Sequence, residues 1–376
     1  MVPYIFVFSL NYLLAYYADQ KYDANRYKAV LFLIAIGILD VIFAGCRDFG
    51  VGYDTNVYID LYFNEAKSLA NVSGFFNAEG MDKGFLFLAY ISTLLSNSSQ
   101  SLLFVTEAFI ITLTLAGLYN FKRTLKINIS TFILLYWLIL FFFSLNFMRQ
   151  YCAMAILFYG YSYWQRDKKC VYLFFQILAY FLHSTSALFV FVPILDYMSK
   201  MQTGKKVLLS VCVLALLVFS TVFFYTVFSF MGEYSLISDV YSDRYSGHGS
   251  KTGGLNMGMI SILIIIIQIS LYILARKEKS MTNQHLYMML MLFVITYLFQ
   301  MLVTFNVNLN RMALYFNQIY ILYLSLSLKA NQNFIKVILK PILTILLLII
   351  CIRFSFNHNY EPQDYTYSSK ILGINK

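Results

Sequence analysis

Twelve apolar runs, separated by short polar connections, limit what this chain can fold into. They are Pro3–Tyr17, Ala29–Ala44, Leu102–Tyr119, Thr131–Leu145, Phe147–Trp164, Val171–Leu182, Ser186–Tyr197, Val207–Phe230, Met257–Ala275, Leu286–Phe305, Met312–Leu328 and Val337–Arg353. Crossing a bilayer takes about 20 mostly apolar residues in a helix, with about 17 the usual lower limit. A thirteenth run, Gly84–Leu95, is too short to span by itself. Charged residues make up 12% of the chain, against about 25% in a soluble domain. A surface so poor in charge is not compatible with water. The expected fold is therefore all-α: a polytopic transmembrane helical bundle of about twelve spanning helices, forming a single membrane domain over residues 1–376.

The net charge of +10 does not point to nucleic acid, because the basic residues are not pooled in one patch. They sit in six short connections, each with three: Lys21/Arg26/Lys28, Lys122/Arg123/Lys126, Arg166/Lys168/Lys169, Lys200/Lys205/Lys206, Arg276/Lys277/Lys279 and Lys329/Lys336/Lys340. Basic connections stay on the cytoplasmic side. Twelve crossings with both termini outside satisfy all six connections at once. That threading needs Gly84–Leu95 to be a re-entrant or interfacial piece. It also needs a hairpin inside Val171–Tyr197, turning near His183, with helices of about 18 Å each. The outer side then receives loop 47–83 with its re-entrant continuation 84–95, loop 231–256 and the tail 354–376. The cytoplasmic connections leave no room for a nucleotide-binding domain, and no GxxxxGK[ST] loop occurs. Met1–Val2–Pro3 lacks a basic n-region, so the first run is expected to be a spanning helix and not a signal peptide. The five cysteines show neither a CxxC pair nor a Cys/His metal spacing, so no metal or other cofactor is expected.

Four polar features interrupt the apolar pattern on the outer side. Arg47 to Tyr58 follows the second run with charge, two glycines and Asp54. Asn146-Phe147-Met148-Arg149-Gln150 divides the fourth run from the fifth. His183 stands in Leu182-His183-Ser184-Thr185-Ser186. Asn306 to Tyr315, with Arg311, precedes the eleventh run. Each has an ordinary reading as turn chemistry or as an arginine snorkelling to headgroups. Each also has a chemical one. Guanidinium groups make bidentate contacts with phosphate oxygens, and a histidine or carboxylate can take a proton from a sugar hydroxyl.

At these residues the chain resembles the Wzy-type bacterial polysaccharide polymerases, specifically their EpsG-like branch. The resemblance runs over essentially the whole length. It rests on Arg47 through Tyr58, on Asp82 with Gly84-Phe85, on Asn146 through Gln150 with Ala153 and Ala155, and on Ala179 through Ser186 around His183. Arg311 through Phe316 and the tail tyrosines Tyr365 and Tyr367 match more loosely, and Asp82 stands where the resemblance implies Glu. The implied activity is repeat-unit polymerisation at the outer face of the bacterial inner membrane. A growing glycan passes from its polyprenyl pyrophosphate onto the next lipid-linked unit, without nucleotide or metal. The implied partners are lipid-linked oligosaccharides and membrane lipid, with a flippase and a chain-length regulator alongside. Asp54, His183 and Arg149 are the expected catalytic residues. Arg47, Tyr58, Asp82, Asn146, Gln150, Arg244, Arg311 and Tyr315 are expected to bind substrate, and Arg149, His183, Arg311 and Asp54 to line one cavity. A ligase or single-sugar transferase acting on lipid-linked sugars, or a flippase for them, remains open at this level.

Overall fold

The computed structural model describes residues 2–52, 54–69, 81–233, 269, 271–273, 275–276, 281–301, 308–330 and 366–374. The chain divides into two compact units, Met1–Ala187 with Gln332–Lys376, and Leu188–Asn331. The described residues are mostly helical, joined by turns, and hold no strand beyond one isolated bridge between Ser369 and Ile374. Four helices among them are long and apolar enough to cross a membrane: Arg26–Gly45, Gln100–Leu125, Ile129–Asn146 and Asn283–Met301. The runs Met257–Ala275 and Val337–Arg353 lie largely or wholly outside the described residues.

The first unit holds α1 (Val2–Tyr22), α2 (Arg26–Gly45), α3 (Thr55–Tyr58), α4 (Asn64–Ser68), α5 (Lys83–Leu95), α6 (Gln100–Leu125), α7 (Ile129–Tyr136), α8 (Phe142–Asn146), α9 (Met148–Trp164) and α10 (Lys169–Leu182). A π-helical turn, Ile59–Phe63, joins α3 to α4, and another, Trp137–Phe141, joins α7 to α8. The stretch expected as a loop between residues 47 and 83 is thus helical over 55–68. Its apolar residues are too few to span but recur closely enough to pack one face, with Tyr58, Tyr62, Phe63 and Ala66 buried.

The unit has two chemically distinct ends. At one, Asp19 of α1 pairs with Lys122 of α6 at 2.8 Å. The same carboxylate caps α7 by accepting the Ile129 and Ser130 amides at 2.9 and 2.8 Å. Asn120 meets Ser162 of α9 there at 3.0 Å. Three of the basic connections, those of Lys21, Lys122 and Arg166, therefore gather at this end. At the other end Tyr4 packs on Phe43 at 5.2 Å between ring centroids, Gln100 donates to the carbonyls of Gly45 and Arg47, and Arg47 donates to the Leu145 carbonyl. Helices α1, α2, α6, α7–α8, α9 and α10 alternate between the two ends.

Helix α5 does not follow this alternation. Its start abuts α10 at Phe181 and Leu182. Near its finish the Ser92 carbonyl accepts from Ser101 at 2.9 Å, one residue after Gln100. Both ends of α5 thus lie at the end opposite the basic connections.

Apolar residues face outward as well as inward, and a few charged groups are enclosed. Leu31, Ile34, Ile38 and Ile42 form an exposed stripe on α2, while Asp40 of the same helix is buried and accepts from Asn11 at 2.6 Å. Glu107 of α6 is also buried. Water-soluble helices rarely expose such an apolar stripe; this arrangement suits a lipid surround, where an interior charge must find protein partners.

A 3-10 segment, Ser184–Val190, follows α10, and the second unit holds α11 (Phe191–Ser199), α12 (Thr203–Glu233), α13 (Asn283–Met301) and α14 (Asn308–Ala330). Ring contacts join the last two, Phe299 with Phe316 and His285 with Tyr323. Lys206 of α12 lies over the ring of Tyr287, and Ser210 bonds the Tyr287 hydroxyl at 2.8 Å.

Candidate functional site

The candidate site is built at the end of the first unit away from the basic connections. It begins with a loop that only certain residues permit. After α2 the chain turns at Asp48–Val51 and passes through Gly52 at φ +91°. A Cβ there would lie 2.7 Å from the Leu145 carbonyl oxygen, so glycine serves both the backbone angle and the close approach. Asn146, at the end of α8, accepts the Asp54 amide on its side-chain oxygen at 2.7 Å. That bond fixes where α3 begins. Phe147, at φ −96° and ψ 52°, then breaks the helix. The break puts Arg149 in the first turn of α9, facing the helical segment that α3 starts.

Arg149 is the centre of the cluster. Its Nη1 donates to Oδ2 of Asp82 at 2.6 Å and to the Tyr62 hydroxyl at 2.7 Å. The guanidinium carbon lies 5.5 Å from the Tyr58 ring centroid and 5.2 Å from that of Tyr62. Two tyrosines four residues apart on one helical face thus cradle the cation through their ring faces. Such contacts contribute about 0.5–2 kcal/mol each, more when water is excluded. Burial pushes the Tyr62 phenol above its ordinary pKa, ahead of the opposing pull of Arg149. The hydroxyl keeps its proton and accepts from the arginine and from the Asp82 amide at 3.4 Å.

Asp82 occupies the N-cap position of α5, where its carboxylate would ordinarily bond its own helix amides. It makes no such bond. Instead the same Oδ2 that meets Arg149 lies 3.5 Å from Nδ1 of His183. That contact is within ion-pair range, and Nδ1 has no hydrogen-bond partner.

Gly84 makes the approach possible. A Cβ on it would meet the Leu182 nitrogen and the Phe181 carbonyl at 2.9 Å, so α5 rests directly on the backbone of α10, and Asp82 comes within reach of His183. The result is one carboxylate oxygen shared between a guanidinium and an imidazole, with side-chain exposures of 22–29% for the three groups.

Of the residues expected from sequence, Arg149, Asp82, His183 and Tyr58 come together. Asn146 and Asp54 meet through the bond that frames the cluster. Gln150 is buried beside Arg149. Arg47, expected among the pyrophosphate ligands, is only 1% exposed. Its guanidinium donates to the carbonyls of Ala44 and Leu145 and to the sulfur of Met148, so it ties the loop to the α8–α9 break from inside. Arg311 lies in the first turn of α14 and Tyr315 is buried there, both in the second unit. Arg244 lies outside the described residues. Among the described residues no group of three or more His, Cys, Asp or Glu side chains could hold a metal ion.

Tyr62 was not among the sequence candidates, although its spacing from Tyr58 was a usable signal. Nor were Asp40 and Glu107, lone carboxylates inside apolar runs, a pattern that marks functional positions in membrane proteins.

A model of the EpsG family matches residues 29–369 of the chain. Comparisons with curated proteins and with solved structures return no match.

Proposed function

The chain belongs to the EpsG family, and from that premise we propose that it is a polysaccharide polymerase acting on polyprenyl-pyrophosphate-linked glycans at the outer face of the bacterial cytoplasmic membrane. The observation that carries this reading is the shared Asp82 oxygen between Arg149 and His183. With no substrate, Asp82 supplies the anion that Arg149 needs. An arriving pyrophosphate takes over the guanidinium, and Asp82 is left to His183, whose Nδ1–H it then accepts. The partner of one imidazole nitrogen sets the state of the other, so Nε2 becomes the proton acceptor.

In the reaction His183 removes the proton from the acceptor sugar hydroxyl. The hydroxyl oxygen bonds the anomeric carbon of the growing chain, the bond from that carbon to the pyrophosphate oxygen breaks, and the electron pair leaves with the pyrophosphate. Arg149 stabilises the charge that develops there, which is where preorganised donors act most strongly. Asp54, at the head of α3, is proposed to bind the acceptor sugar. Arg311 and Arg244 are proposed as further contacts to the lipid-linked substrate.

The test is incubation of the purified protein with lipid-linked repeat units. A ladder of products supports polymerase action; a single addition means a ligase or single-sugar transferase, and no product with lipid-linked sugar moved across the membrane means a flippase. In the same assay, EDTA is expected to leave the ladder unchanged, since the proposed chemistry runs on the arginine. Loss of the ladder, restored by one divalent ion, would overturn that part.

The sidedness has its own check. Lys67→Cys and Leu372→Cys lie at the site end and should label together with an impermeant thiol reagent on intact spheroplasts. Lys28→Cys, at the basic end, should label only after permeabilisation. The reverse pattern would place the site on the cytoplasmic side and end the outer-face reading.

A further inference from the structure

The last residues of the chain reach back to the beginning. Residues 366–374 lie against the end of α2, more than three hundred residues away. The Tyr367 ring stacks on Phe43 with centroids 4.2 Å apart and planes 5° apart, and meets Tyr4 edge-on at 5.6 Å. Its hydroxyl donates to the Phe43 carbonyl at 2.8 Å. Ser369 donates to the Cys46 carbonyl at 2.5 Å. The Asp48 amide donates to the Ser368 carbonyl at 2.9 Å, and the Lys370 amide to the Asp48 carboxylate at 3.0 Å. Gly373, at φ +67°, turns the chain so that Ser369 and Ile374 exchange backbone bonds at 2.8 and 2.9 Å. Tyr367, Ser368 and Ser369 are all buried.

These contacts bracket Arg47. Phe43 and Cys46 precede it and Asp48 follows it, so both sides of its backbone are held by the strap. The Arg47 side chain in turn holds the Leu145 carbonyl and the Met148 sulfur, on either side of the Phe147 break. Arg149 is the next residue. An unbroken line of contacts therefore leads from the strap, through Arg47, to the guanidinium at the centre of the site. The family match ends at residue 369, so it takes in Tyr367, Ser368 and Ser369 of the strap as well as the site.

We propose that Tyr367, Ser368, Ser369 and Lys370 are positioning residues for the polymerase reaction: the strap fixes the Cys46–Asp48 loop, and that loop aims Arg149 at Asp82. None of the four touches Arg149. The activity part of the claim rests on the polymerase reading above; the docking part does not.

The experiment uses the full-length protein with Cys46 as its single cysteine, a chain truncated after Tyr365, and the variants Tyr367→Phe, Tyr367→Ala and Ser369→Ala. Cys46 is buried beneath the strap, so it should resist a thiol reagent in the full chain and react at least tenfold faster in the truncated chain and in Tyr367→Ala. Polymer output should fall at least tenfold in the same two proteins, with kcat falling and KM little changed. Tyr367→Phe keeps the ring stack and loses one hydrogen bond, so its loss should be a few-fold, with Cys46 still protected. Ser369→Ala should fall between them. Cys46 remaining protected after truncation would overturn the docking. Cys46 exposed with normal turnover would overturn the positioning role. A full-length chain that makes no polymer at all would sink the polymerase reading instead, and the reactivity of Cys46 would still decide whether the strap docks.

Discussion

Arg149→Ala should abolish polymer formation, with a loss on the order of 10³-fold or more, while the protein still inserts in the membrane. The size follows from the removal of one preorganised donor to a developing anion, which typically costs about 10²–10³-fold. Here the substitution does more. It removes the cation held between Tyr58 and Tyr62, and it leaves the Asp82 carboxylate without its 2.6 Å partner. Arg149→Lys should recover little. An ammonium can restore a point charge near Asp82, but it lacks the planar fork that engages two phosphate oxygens and lies flat against aromatic faces. Normal chain length in the lysine variant would mean that charge alone is sufficient and that the two-oxygen contact is not used. The measurement is product length and initial rate on lipid-linked repeat units, with membrane insertion checked separately.

Gly84→Ala should reduce polymerisation by about 10²-fold, although the residue carries no functional group. The added methyl would lie 2.9 Å from backbone atoms of Phe181 and Leu182, and backbone cannot rotate away as a flexible side chain can. Helix α5 must move off α10, and Asp82 moves with it. A displacement near 1 Å in an active site can cost about 10²-fold in rate, and the contact between Asp82 and His183 is already 3.5 Å. Overpacking of this kind also costs about 1–3 kcal/mol in stability. The two effects separate experimentally. Phe121→Leu, which loosens the packing against Phe158 and Tyr161 away from the site, should lower thermal stability and leave much of the rate. If Gly84→Ala retains normal rates, the shared carboxylate is not the working arrangement.

Much of this fold was legible because a bilayer imposes a length. The runs Ala29–Ala44 and Leu102–Tyr119 mark the helices Arg26–Gly45 and Gln100–Leu125, which are long and apolar enough to span, and three of the basic connections do collect at one end of the first unit. Residues 55–68 were harder. The segment has too few apolar residues to span, so it reads as a loop, yet its tyrosines recur at helical spacing and it forms the wall of the site. Arg149 and His183 stood out by residue type, since cations and imidazoles seldom interrupt apolar runs without a partner; that both reach the same Asp82 oxygen was not legible. Arg47 shows the limit of that reasoning. A guanidinium suits backbone carbonyls as well as phosphates, and the choice depends on whether the loop folds back over the α8–α9 break. Gly84 was visible only as a neighbour of Phe85; its meaning is a distance between two helix backbones, which no local pattern encodes.

The strap described above also orders events during synthesis. At about 5–20 residues per second, the 324 residues separating Phe43 from Tyr367 take roughly 16–65 s to translate. Throughout that time α1, α2 and the loop at Arg47 are already made, while the segment that holds them does not yet exist. On the positioning role proposed for the strap, a nascent chain lacks the contacts that hold the Cys46–Asp48 loop until residues 367–370 are made. By the same proposal, a chain that stops before Tyr367 is expected to insert but to turn over at least tenfold more slowly, with an exposed Cys46 that distinguishes it from a chain carrying the strap.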